Sequence, residues 1–155
     1  MYENIIVPID DIESAELAVT NAKGIAKATG GTVVLLHVVT PDNPLVMSDE
    51  SGLGAHASAE VVELARQDES VHLAEQQSEL QKLADKLSSD GVSVTAEAVL
   101  GHAHEAIVKS VKDFSADLVI LSTHGRRGIS RAFLGSVADQ VVHDFDVPVM
   151  LVNRG

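Results

Sequence analysis

Cysteine and tryptophan are absent from this 155-residue chain, and aromatic residues make up only 3% of it. Without cysteine there is no disulfide, no thiolate metal site and no cysteine nucleophile. With so few rings, the surface lacks the stacking platforms that single-stranded nucleic acids use. The core must instead be built from Val, Ile, Leu and Ala. Positive charge is scarce too: 11 Lys and Arg stand against 23 Asp and Glu, a formal net charge of −12. Such a surface repels DNA, RNA and anionic lipid, so an anionic ligand needs a local positive site. No apolar run approaches the ~18 residues of a membrane span. The opening MYENIIVPID has neither the basic start nor the long apolar stretch of a signal peptide. The expectation is a cytoplasmic protein with no membrane insertion and no nucleic-acid partner.

What is present is ordinary globular material. Hydrophobic residues at 45% against 22% charged exclude a disordered chain, and the length fits one domain over 1–155. NIIVPI (4–9), TVVLLHVV (32–39) and DLVILST (117–123) read as buried strands. VSVTAEAVL (92–100) alternates and reads as a more exposed strand. VPVMLV (147–152) reads as the last strand, an edge that tolerates Pro148 near its start. Helical spacing joins Ala15, Ala18, Val19, Ala22, Ile25 and Ala26, ahead of the stop at Gly30 and Gly31. A long helical pattern spans about 57–89, with the polar patch RQDES (66–70) as a candidate interruption. Shorter helices are expected at 104–114 and 136–145, and a surface loop at 40–56.

This strict alternation of strand and helix predicts an α/β fold with a parallel sheet and helices on both faces. In such a sheet ligands sit beyond the carboxyl ends of the strands, where strand order reverses. Two ends stand out: PID (8–10) after the first strand and STHG (122–125) after the fourth.

The stretch STHGRRGISRAFLGS (122–136) concentrates Arg126, Arg127 and Arg131 among Gly125, Gly128 and Gly135, with no acid. It runs from a buried strand towards a helix beginning near Ser136. Amides at a helix start point outward with partial positive charge, and glycine lets backbone approach an anion closely. Together with the Ser136 hydroxyl, these are the parts of a phosphate cradle. Turn-forming glycines and solvated arginines account for the same residues, and spacing alone leaves both readings open. Neither a Walker loop nor a dinucleotide fingerprint is present.

The loop resembles that of the universal stress protein family, whose nucleotide-binding members carry G-x-x-G, nine residues, then G-[ST]. Here the register is Ser122 to Gly125, nine residues, then Gly135-Ser136. ENIIVPID, LLHVV and VPVMLVNR extend the resemblance over nearly the whole chain. It implies an open five-stranded parallel sheet of order 3-2-1-4-5, a Rossmann-like arrangement. It also implies an ATP site. Pro8 and Asp10 would border adenine and ribose, and the main chain of Val38 would contact adenine. Leu121, Ser122 and Gly125 would line the ribose and first phosphate. Gly135, Ser136 and Val137 would bind phosphates beside Arg126 and Arg127. Mg or Mn would accompany the phosphates, with no dedicated protein cage. Two positions depart from the family pattern. Ser122 replaces the first glycine, placing a hydroxyl beside the ribose. Asp11-Ile12 stands where Gly-Ser is usual, adding a carboxylate near the phosphates.

Other candidates carry less. His102 and His104 lack a nearby third metal ligand in sequence. His37, inside a strand, reads as a hydrogen-bonded core histidine, and His124 as a loop residue within reach of a phosphate. No catalytic triad or carboxylate pair can be assembled, and the acids at 60–90 read as the solvated face of a helix. The expected function is a non-catalytic, adenine-nucleotide-binding stress-response module. It would homodimerise through the strand from Val147 to Val152 and be read by a protein partner, a transporter or regulator. The alternatives are a slow ATPase on the same fold and a dimeric interaction protein that binds no nucleotide.

Overall fold

Short apolar runs of β-branched residues can bury both faces only between layers of helix, and that is where the strands lie. The computed structural model describes residues 1–10, 12–41, 58–88, 91–122 and 145–152. Its strands are β1 (Asn4–Pro8), β2 (Thr32–Val39), β3 (Ser93–Leu100), β4 (Leu118–Ser122) and β5 (Val149–Val152). Its helices are α1 (Ile12–Thr29), α2 (Ala59–Ser88) and α3 (Ala103–Asp113). The strands form one sheet in the order β3-β2-β1-β4-β5, and every neighbouring pair is parallel.

Alternate residues feed opposite faces. Ile5, Val7, Val33, Leu35, Leu118 and Ile120 pack with Ala15, Ala18, Ala22 and Ala26 of α1 and Leu80 and Ala84 of α2. Ile6, Val34, Leu36, Val119 and Leu121 pack with Ile107 and Val111 of α3 on the other side. The alanine stripe of α1 is the sequence feature that lets this helix lie close against the strands.

Three local expectations change. RQDES does not interrupt α2, which runs unbroken for 30 residues. Ala65 and Glu69, one turn apart, continue its buried face through the polar patch. Glu69 is 8% exposed, so the acids of this helix are not all on its solvated face. The last strand is shorter than 147–152, because pairing with β4 begins at Val149. Pro148 has no N–H to give, although its carbonyl accepts the Val119 N–H at 3.0 Å. The loop expected at 40–56, beyond Pro41, and the helix expected at 136–145, up to residue 144, lie outside the described residues.

The amino ends of the strands are clamped. The Asp117 carboxylate accepts the Glu3 N–H at 2.8 Å and the Asn4 N–H at 3.2 Å. Its own N–H donates to Asn4 O at 2.9 Å. Thr29 Oγ1 donates to Tyr2 O at 2.6 Å, tying the end of α1 to the entry of β1. Gly31 passes so close that a Cβ there would meet Tyr2 O and Glu3 O, each at 2.8 Å. These are backbone atoms held by the ladder and cannot swing away. Gly31→Ala is therefore expected to lower the unfolding free energy by about 1–3 kcal/mol, the usual cost of overpacking a fixed site. Urea denaturation checks this, and an unchanged midpoint would show that the turn relaxes.

Candidate functional site

The backbone of β1 serves its two neighbours alternately. Odd-numbered groups face β2: Glu3 O accepts the Thr32 N–H and the Ile9 N–H donates to Leu36 O, each at 2.7 Å. Even-numbered groups face β4, as the bond from Asp117 N–H to Asn4 O shows. Pro8 falls on the β4 side and has no N–H to offer there. The β1–β4 register pairs Ile5 with Leu118 and Ile6 with Val119 and, among the described residues, ends there. The β1–β2 register runs on to Pro8 and Leu36, and Ile9 extends it. The β1–β4 pairing thus stops short of the carboxyl ends, where the strand order reverses and a doubly wound sheet takes its ligand.

Pro8, Val38 and Leu121 lie on one face of the sheet at these ends. Leu121 belongs to the same buried cluster as Ile6 and Leu36, and half-buried Val38 packs against that cluster. Pro8 shares the face by its two-residue spacing from Ile6. Ser122 falls on the opposite face, half-buried, and pairs with Val152 of β5. Asp10 is exposed just past β1.

His37 holds the turn that leads to Asp10. Its Nδ1 lies 2.8 Å from Ile9 O. A carbonyl only accepts, so Nδ1 carries the hydrogen and donates, which leaves Nε2 of the neutral ring as an acceptor. The sequence reading anticipated a hydrogen-bonded histidine within a strand. The ring is half-buried and not, as expected, in the core, and its partner Ile9 lies between Pro8 and Asp10. No motif marked this role. Its only sequence signal is a histidine one residue before Val38 at the carboxyl end of a strand.

Gly125, Arg126, Arg127, Gly135, Ser136 and Val137 lie outside the described residues, as do Asp11, His124 and Arg131. Among the described residues no group of three or more His, Cys, Asp and Glu could hold a metal ion. His102 takes the N-cap position of α3 with extended backbone and makes no side-chain cap bond. A separate hollow of about 230 Å³ lies between β3 and α3, and Val99, Ala106, Lys109, Ser110 and Phe114 help to line it. None of the expected site residues borders it.

Comparison with known proteins agrees with this geometry. The model of the universal stress protein family matches residues 1–153. Universal stress protein MJ0577 of Methanocaldococcus jannaschii is 29% identical, with 99% of this chain and 96% of that protein covered. Universal stress protein MJ0531 of the same organism is 30% identical, covering 99% and 84%. The solved structure of MJ0577 matches with a TM-score of 0.75 at 28% identity, over 100% of this chain and 98% of its own. Two more distant structures share the fold. One is a universal stress protein in complex with cAMP, at 20% identity and TM-score 0.63, covering 99% and 98%. The other is the universal stress protein from Archaeoglobus fulgidus in complex with dAMP, at 17% and 0.59, covering 97% of each chain. No helix among the described residues is long and apolar enough to cross a membrane. With a parallel sheet of order β3-β2-β1-β4-β5, its strand order reversing between β1 and β4, and a family match over residues 1–153, this chain belongs to the universal stress protein family.

Proposed function

We propose that this chain is a non-catalytic module that binds an adenine nucleotide, ATP foremost, and passes its bound state to a partner. The observation that carries the reading is the strand-order reversal between β1 and β4, where their pairing stops before Pro8, with Val38 and Leu121 on the same face of the sheet. Two proteins of this fold are in complex with cAMP and dAMP, which share the adenine base. In this reading Pro8 and the Val38 main chain flank the base, and Asp10 takes the ribose. Leu121, Ser122 and Gly125 line the sugar and first phosphate. Gly135, Ser136 and Val137 present amides and a hydroxyl to the phosphates, and Arg126 and Arg127 supply local positive charge in a chain of net charge −12. A Mg or Mn ion would be held by the phosphates and water rather than by a protein cage. The chain works as one cytoplasmic domain over 1–155, read by a transporter or regulator.

The motif assigns no general base and no water-orienting group to the terminal phosphate, so the loop binds without turning over. Denaturing the purified protein and identifying the released nucleotide separates the readings. ATP supports a binding module, ADP a slow ATPase, and no nucleotide a pure interaction protein. Gly135→Val puts a branched side chain in the phosphate path, and ATP affinity is expected to fall at least tenfold, about 1.4 kcal/mol. Equal affinities by titration calorimetry would place the phosphates elsewhere. Phosphate release by the wild type is expected to stay far below ~1 s⁻¹, the low end of typical enzyme turnover. A steady rate near that value, abolished by Gly135→Val, would make the protein an enzyme.

The same reading includes a homodimer formed at β5. This strand is an edge of the sheet, and its Met150 and Leu151 are 37% and 50% exposed. An apolar edge invites another strand, and two-fold pairing satisfies both copies at once. Pro148 gives its carbonyl to Val119 of β4, so the even-numbered groups of β5 face β4 and Leu151 faces outward. Leu151→Pro removes that outward donor and is expected to shift light scattering from dimer towards monomer. A wild-type protein that is monomeric at micromolar concentration would exclude the dimer.

A further inference from the structure

The other edge of the sheet is β3, and α2 meets it with side chains. Gly101, directly after β3, donates its N–H to Val39 O of β2 at 3.1 Å, so odd-numbered backbone groups here face β2. Even-numbered groups then face outward, towards the place of a sixth strand. Ser88 occupies the first of them. Its Oγ accepts the Val94 N–H and donates to Val94 O, each at 3.2 Å. Gln77 occupies the next. Its Nε2 donates to Ala96 O at 3.0 Å, and its Oε1 accepts the Ala98 N–H at 2.6 Å. A residue of an added parallel strand would bond to these same two groups, giving its N–H to Ala96 and its carbonyl to Ala98. The Gln77 amide supplies that donor and acceptor from a helix, and buried Leu80 and Ala84 anchor it a turn or two away.

We propose that Gln77 and Ser88 are edge guards that determine how this chain associates with a second copy. With β3 open, the β5 edge of one copy could continue in parallel onto β3 of the next. That contact is head-to-tail, does not close, and builds filaments. With β3 capped, the surface left for a second copy is β5, where pairing is two-fold and stops at two. The choice of β5 rests on the dimer proposed above, whereas the capping of β3 rests on its own hydrogen bonds.

The test is the double variant Gln77→Leu, Ser88→Ala, which keeps the volume of the larger side chain and removes the polar caps. Its Ala98 amide is expected to exchange hydrogen at least about fivefold faster than in the wild type, as loss of one ordinary hydrogen bond implies. In sedimentation velocity it is expected to form species larger than the wild-type assembly, growing with concentration. Adding Leu151→Pro should remove them, because the head-to-tail contact uses the outward groups of β5 as well. A folded double variant with the wild-type size distribution overturns the proposal. If the wild type sediments as a monomer, the β5 dimer falls, and the guards are still judged by whether the double variant associates further. Should the double variant not fold, Gln77→Leu alone carries the test at Ala98, where wild-type exchange would overturn it.

Discussion

Backbone hydrogen bonds in β1 alternate between two neighbours, and the rest of the molecule depends on that alternation. It joins the two halves of the sheet, β2 with β3 on one side and β4 with β5 on the other. At the amino end both neighbours are served, and Asp117 reinforces the β4 side with its carboxylate. At the carboxyl end Pro8 interrupts only the β4 side, and Ile9 keeps the β2 side engaged. The sheet is thus doubly hydrogen-bonded along β1 at one pole and on the β2 side alone at Pro8 and Ile9.

The sequence carried the architecture well, because buried parallel strands and alanine-striped helices have strong periodicities. The strand order came from the resemblance in the loop and strand motifs, and the pairings agree with it. Pro8 was legible as an expected site residue but not as the residue at which the β1–β4 pairing stops. That role depends on which neighbour position 8 faces, and the register fixing it is a property of the folded sheet. The same holds for His37. Its place in a strand was plain, yet its bond to Ile9 depends on how the turn after β1 folds back.

Polar residues on α2 were the hardest to read. Glu69 sits in a run that looks like solvent-facing helix, and only packing reveals that it is buried. Gln77 and Ser88 resemble any other polar residue of an exposed face. Their role depends on the crossing of helix and strand, which brings a side-chain amide level with Ala96 and Ala98. Helix length shows the same limit. Thirty residues reach ~45 Å, whereas the eight of β3 reach roughly 26 Å, so α2 outreaches the strand it packs on. Of the expected site, the carboxyl ends of β1, β2 and β4 are described, and the arginine-bearing loop is not.

The clamp at the amino pole has a practical side. Glu3 is exposed, and its backbone is tied to Asp117 and Thr32 at the end of the strands away from Pro8. β1 separates the two ends by five residues, roughly 16 Å. A fluorophore attached at the Glu3 side chain therefore reports from the far side of the sheet. It would follow tumbling and assembly without standing in the path of a small molecule at the opposite end.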